Sequence, residues 1–144
     1  KNSQLILLPV PWEVTTSYGN GTSSGPKSIY ECSSQIDLTH LDAGPVYERG
    51  MFWEDSQHDS WLKLNDEFKP QAIRVKETLE RGEELSPDLK KSVAGINKAS
   101  DTIHEQVYQA SKKILADGKI LGTVGGDHSS PLGAIRATSE KHNK

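Results

Sequence analysis

Short apolar runs stand near both ends of the chain, at Leu5–Val10 and at Lys119–Val124. Strands of a parallel sheet that helices cover on both faces are typically continuous apolar runs of this kind. We therefore predict two buried strands, with a third, short strand at Ile36–Leu38. Residues 39–59 carry turn formers without a clear period and are predicted to be loop.

Between the apolar runs, residues 60–117 have helical spacing. Trp61, Leu64 and Phe68 begin a first helix, which Pro70 is expected to end, and a second helix follows as far as Gly82. Ser86 and Pro87 are typical of a helix N-terminus, and a third helix should run from there to Gly118. Its apolar positions keep one face for about eight turns, with a break expected near Gly95 and Asn97. These positions are Leu89, Val93, Ile96, Ile103, Val107, Ala110 and Ile114.

Two shorter helices complete the pattern. The first is predicted over residues 26–34, with Ile29 and Cys32 facing inward, and the second opens at Ser130 and Pro131. Helix, strand, glycine turn and helix in succession are typical of an α/β domain with a mostly parallel central sheet. Packing of the third helix on that sheet explains its long stripe of apolar positions better than a coiled coil does.

Composition narrows the class of protein. The 144 residues carry 17 basic and 20 acidic side chains, a net charge of -3, which gives no basic surface for nucleic acid or anionic lipid. No apolar stretch approaches the roughly 18 residues of a membrane span. The single cysteine excludes an internal disulfide, so a reducing, cytoplasmic location is the default expectation.

The segment Gly125-Gly126-Asp127-His128-Ser129 is the part of the sequence most informative about chemistry. It directly follows a predicted strand, and ligands of open α/β sheets bind at the carboxyl ends of strands. An imidazole there can coordinate a transition metal, while the neighbouring carboxylate can bind the metal or orient the imidazole. His128 is therefore the candidate metal ligand.

Three other interpretations of this segment stay open. His128 can be a surface histidine without a ligand, as His40, His58, His104 and His142 are interpreted to be. The glycines can cradle a phosphate, although the rest of a phosphate-loop motif is missing. Ser129 can be a nucleophile, although the sequence lacks a nucleophile elbow.

Two segments together resemble the ureohydrolase family of arginases, agmatinases and formiminoglutamases. Gly125–Ser129 is similar to the first metal-binding motif of that family. Residues 21–29, Gly-Thr-Ser-Ser-Gly-Pro-Lys-Ser-Ile, resemble its Gly-x-x-x-Gly-Pro-x-x-Ile-Arg segment, with Tyr30 in place of the arginine. The resemblance covers the chain, more loosely between residues 42 and 98. It implies a three-layer, arginase-like α/β fold.

The resemblance also implies an activity and a cofactor. The complete protein would hold two Mn²⁺ ions bridged by a hydroxide, which attacks a guanidino carbon and releases urea and an amine, with agmatine converted to putrescine as the specific expectation. His128 would be a metal ligand, with Gly125, Gly126, Asp127 and Ser129 supporting it. Tyr18 and Asn20, which follow the first strand, would belong to a loop on the substrate side.

Two observations suggest that residues 1–144 are the N-terminal part of a single ureohydrolase-like domain. With glycine included, the apolar fraction is about 41%, below the roughly 45–50% of typical domains. The aspartate-rich ligand motifs that the family carries later in its chain are also missing. The expected partners are therefore the C-terminal remainder, a small guanidino substrate and further copies in a trimer or hexamer. The 144 residues alone are expected to be inactive.

Formiminoglutamase or arginase activity on the same metal core is the alternative within the family. A non-catalytic α/β binding module is the alternative from another class of protein.

Overall fold

The structure is a computed structural model that describes residues 2–143. It contains three strands and four α-helices, joined by loops that include three short 3₁₀ turns. In chain order these are β1 (Leu5–Val10), α1 (Gly25–Cys32), β2 (Met51–Trp53), α2 (His58–Glu80), α3 (Pro87–Ala116), β3 (Ile120–Gly125) and α4 (Leu132–Lys141). The terminal residues of the predicted domain, Lys1 and Lys144, lie outside the described residues.

All three strands are parallel, in the order β2-β1-β3. Strand β1 pairs along its whole length with β3, from Leu5 opposite Ile120 to Val10 opposite Gly125. The carboxyl ends of these two strands therefore meet at one edge of the sheet, here called the carboxyl edge. The predicted parallel α/β class is confirmed.

Helices lie on both faces of the sheet. Leu8 and Val10 pack with Trp61 of α2 and Ile103 of α3 in one apolar core. Alternate strand residues point to the opposite face, where Trp53, the register partner of Leu7, contacts Tyr30 of α1 at a ring separation of 5.4 Å. This gives a helix–sheet–helix arrangement of three layers, as predicted.

The second strand lies elsewhere than predicted. Ile36–Leu38 is not a strand, and its two apolar side chains are about half exposed. Met51–Trp53 forms β2 instead, inside the segment predicted to be loop, because it pairs with Leu5, Ile6 and Leu7 of β1. Three residues are too few for a period to show in the sequence.

Pro70 does not end a helix, since α2 is continuous through it. Proline removes a backbone donor and normally disrupts a helix interior. Here Pro70 is exposed, so the carbonyl that loses its partner can be hydrated, while Trp61 and Val75 on either side of it are buried. Packing of the flanking turns keeps the helix intact.

The long helix α3 spans the predicted length but has no break at Gly95 or Asn97. Its predicted N-terminus is confirmed, because the Ser86 hydroxyl accepts a hydrogen bond from the Leu89 amide. The stripe faces α2 and the sheet, which supports packing on the sheet rather than a coiled coil.

The inward orientation predicted for Ile29 and Cys32 in α1 is wrong, since both are exposed. The helix buries Pro26 and reaches the sheet through Tyr30 instead. None of the helices among residues 2–143 has the length and apolarity needed to cross a membrane.

Helices α3 and α4 approach closely at Gly133. A methyl group there would lie 2.4 Å from the His104 carbonyl oxygen and 2.5 Å from the Tyr108 nitrogen, both backbone atoms of α3. We expect Gly133→Ala to force the helices apart and to lower the free energy of unfolding by about 1–3 kcal/mol or more. Urea denaturation measures the change.

Gly95→Ala is the matched control, since its methyl would meet only the edge of the Phe68 ring, at 3.2 Å. Alanine also favours a helix interior over glycine by about 1 kcal/mol. Equal losses of stability in the two variants would contradict the close approach at Gly133.

Candidate functional site

The carboxyl edge is built by two chain segments locked together through their backbones. The Val10 carbonyl accepts hydrogen bonds from the Trp12 amide at 2.8 Å and the Gly126 amide at 3.2 Å. The Trp12 carbonyl accepts one from the Asp127 amide at 2.7 Å. A Cβ atom on Gly126 would lie 1.9 Å from the Trp12 oxygen, so only glycine fits here. Gly125 precedes it at the end of β3, and its own Cβ would lie 2.8 Å from that of Ser130.

The Asp127 carboxylate fixes the turn after β3. Its Oδ1 atom accepts hydrogen bonds from the Ser129 amide at 2.9 Å and the Ser129 hydroxyl at 2.6 Å. Its Oδ2 atom accepts from the Thr15 amide at 3.0 Å and the Thr15 hydroxyl at 2.6 Å. The carboxylate is buried and has two donors on each oxygen. It therefore joins the turn after β3 to the loop after β1.

His128 lies on the same turn and is exposed. Among residues 2–143 no side chain hydrogen-bonds to its imidazole, so the ring nitrogens are available to a ligand. Within the same residues no three His, Cys, Asp or Glu side chains lie close enough together to hold a metal ion. The His128 imidazole fits the role of one protein ligand in a larger metal site. The part of the chain that the structure describes does not contain the other ligands of such a site.

The other predicted site residues lie along the same edge. The Ser129 hydroxyl also lies 3.2 Å from the Thr15 hydroxyl, and both donate to Asp127. Tyr18 and Asn20 are exposed in the loop after β1, with 88% of Tyr18 accessible. The roles of His128, Tyr18 and Asn20 stay predictions, and so does any role of Asp127 toward a metal.

Sequence reasoning missed Glu13, which follows β1 and is only 5% exposed. Its Oε2 atom accepts hydrogen bonds from the Gly21 amide at 2.8 Å, the Ser23 amide at 2.9 Å and the Thr22 hydroxyl at 3.1 Å. Its own amide donates to the buried Asn65 side chain of α2 at 2.8 Å. Glu13 thus joins the loop after β1 to α2.

The ionised form of Glu13 is favoured despite burial. Burial raises the pKa of this carboxyl, but the three hydrogen bonds and the Lys69 ammonium lower it by more, so the pKa lies below its ordinary value. The Lys69 Nζ atom lies 3.9 Å from Oε1. A carboxylate directly after a strand and ahead of a glycine- and serine-rich loop is the sequence signal that could have identified it.

The chain belongs to the arginase family, whose sequence model matches residues 3–144. This confirms the family that the two motifs suggested.

Two relatives are of particular interest. N(1)-aminopropylagmatine ureohydrolase of Synechocystis is 23% identical over 138 residues, which are 94% of this chain and 35% of that protein. A crystal structure of a Clostridium difficile protein described as a candidate agmatinase has a TM-score of 0.59 at 19% identity, over 99% of this chain and 39% of that one. The structural likeness shows a shared fold. The chain spans little more than a third of either relative.

The Asp127 network gives a prediction about stability. We expect Asp127→Asn to lower the free energy of unfolding by about 1–3 kcal/mol, because the new NH₂ group would face two donors of Thr15 or Ser129. His128→Ala, at an exposed neighbouring position, should change it by no more than about 0.5 kcal/mol. Urea denaturation compares the two, and an Asp127→Asn variant as stable as His128→Ala would contradict the network.

The lowered pKa of Glu13 predicts a loss of stability in acid. A carboxyl whose pKa is lower in the folded than in the unfolded state stabilises the fold fully above the unfolded value, near 4.5, and loses this effect as pH falls through the folded value. We therefore expect Glu13→Gln to lose less stability than the wild type between about pH 6 and pH 3. Denaturation curves at both pH values test this, and an equal loss in both proteins would be contrary to it.

Proposed function

We propose that this chain is the N-terminal part of a longer agmatinase-like hydrolase that releases urea and an amine from a small guanidino substrate. Membership of the arginase family supports the reaction class. The observation that carries the proposal is the exposed His128 imidazole, which the Gly126 and Asp127 backbone contacts hold at the carboxyl edge. Ligands of open α/β sheets bind at this position.

The proposed cofactor is a pair of Mn²⁺ ions, to which His128 would supply one ligand. Imidazole and carboxylate donors together suit such ions. Two bound metals supply a strong nucleophile at neutral pH and stabilise charge on an electrophilic carbon. The other ligands would come from the remainder of the complete protein, because residues 2–143 hold no cluster that could bind a metal.

The chain's own residues hold this ligand in place. The turn that carries His128 is closed by the Asp127 carboxylate and by the Ser130 amide, which donates to the Asp127 carbonyl at 3.1 Å. No side chain of the described chain competes for the imidazole. The turn therefore presents one histidine without rearrangement, which favours binding.

Agmatine is the proposed substrate, with putrescine as the second product. The Synechocystis relative is named for N(1)-aminopropylagmatine, a guanidino compound with a longer amine, which supports a linear guanidino substrate in general. Arginine and formiminoglutamate are the competing substrates. We further propose a cytoplasmic homo-oligomer, a trimer or hexamer, as the working form.

Substitution of His128 tests the proposal. In the complete protein, His128→Ala should lower bound Mn²⁺ and reduce urea release from agmatine by orders of magnitude, because a metal ligand is lost. His142→Ala is the matched control, since His142 is also exposed but lies beyond α4. Elemental analysis and a urea assay measure both effects.

Normal metal content and turnover in His128→Ala would refute the assignment of His128. A wild-type complete protein that takes up no metal and releases urea from none of these guanidino compounds would favour the non-catalytic binding module. If the protein released formamide from formiminoglutamate and no urea from agmatine, formiminoglutamate would replace agmatine as the proposed substrate.

A further inference from the structure

The loop after β1 is organised by one buried carboxylate. Three donors from the consecutive residues Gly21, Thr22 and Ser23 converge on a single oxygen of Glu13. Charge-assisted hydrogen bonds of this kind are stronger than neutral ones. Glu13 therefore draws the distal part of the loop back against the end of the strand.

Both ends of this loop contact the turn that carries His128. At its start, the Thr15 amide and hydroxyl both donate to Asp127, and the hydroxyl lies 3.2 Å from that of Ser129. At its end, Gly25 lies against the Gly125 carbonyl, 3.6 Å from where a Cβ would stand. Residues 16–24, here called the strand-end loop, connect these two contacts at the carboxyl edge.

Helix α2 fixes the strand-end loop from behind. The Lys69 ammonium donates to the Glu13 carbonyl at 2.8 Å and to the Thr16 hydroxyl, and it is only 12% exposed. Two turns further along the same face of the helix, the Lys76 ammonium donates to the Ser17 carbonyl. The buried Glu13 side chain, the largely buried Lys69 side chain and the partly exposed Lys76 side chain therefore attach the loop to α2.

The strand-end loop has little else to order it. It is rich in glycine, serine and threonine, and Gly21 has a φ of 106°, where nothing would contact a side chain. Tyr18 and Asn20 are exposed at its tip. Without the Glu13 contacts, the backbone entropy of such a segment favours many conformations over one.

We propose that Glu13 is a positioning residue that holds the strand-end loop so that Tyr18 and Asn20 face the substrate beside His128. This inference rests on the proposed guanidino hydrolase function. Glu13 itself touches neither metal nor substrate in this account. It acts through Gly21, Thr22 and Ser23.

The test uses the complete protein loaded with Mn²⁺ and assayed for urea release from agmatine. In Glu13→Ala we expect KM to rise by about tenfold or more, with a smaller fall in kcat, because binding contacts are misplaced while the metal chemistry is intact. Bound Mn²⁺ should be unchanged. Hydrogen exchange of peptides that cover residues 17–24 should become faster.

Two further variants separate positioning from folding. Thr22→Val removes one of the three donors at an exposed site, so the fold should survive. KM should rise here too, but by less than in Glu13→Ala. Glu13→Gln keeps an acceptor and should restore part of the exchange protection that alanine loses. Glu84→Ala, an exposed carboxylate on another part of the chain, is the control and should change nothing.

The failures of the two proposals are distinguishable. A wild-type complete protein that releases no urea from any guanidino substrate overturns the proposed function, and the positioning role falls with it. An active wild type whose Glu13→Ala and Thr22→Val variants keep both KM and exchange protection overturns the positioning role alone. Loss of bound Mn²⁺ in Thr22→Val would likewise overturn it, since the residue would then support the metal site.

Discussion

The contact between the backbones of Gly126 and Trp12 is the constraint on which the carboxyl edge depends. These residues are far apart in the chain, and their segments meet because β1 and β3 are neighbouring parallel strands. The Val10 and Trp12 carbonyls then accept hydrogen bonds from the segment after β3. These backbone contacts set the direction in which the chain leaves β3, and the Asp127 carboxylate then fixes the turn that carries His128.

Two buried carboxylates extend this constraint into the loops. Asp127 joins the turn after β3 to the loop after β1, and Glu13 joins that loop to α2. Asp127 has two donors on each oxygen. One oxygen of Glu13 accepts three hydrogen bonds, and the other lies 3.9 Å from the Lys69 ammonium. At the carboxyl edge, the Asp127 and Glu13 carboxylates order the loops, and the His128 imidazole is left available to a ligand.

The sequence predicted what depends on long apolar patterns or on a local motif. Local stretches of the sequence indicate the apolar runs that form β1 and β3, the apolar stripe of α3 and the glycine turn at Gly126. Strand β2 is only three residues long, and the helix through Pro70 survives because of packing that lies elsewhere in the chain. Such features depend on tertiary contacts, which no local pattern shows.

Glu13 was missed in part for the same reason, because two of its partners, Asn65 and Lys69, lie more than fifty positions after it. Its contacts with Asn65 and Lys69 exist only once α2 has packed against β1. The orientation of Ile29 and Cys32 in α1 was predicted wrongly for a similar reason. Helical spacing indicates which residues share a face, but not whether another element covers that face. The motif of His128, in contrast, needed only five consecutive residues.

The pairing of β1 with β3 also constrains the order in which the chain can fold. Strand β1 lies more than a hundred residues ahead of its full-length partner, which begins at Ile120. Contacts between α2 and α3 are closer in sequence and can form much earlier, whereas closing so long a loop is slow. During synthesis the edge of β1 that pairs with β3 therefore stays unpaired until β3 has been made.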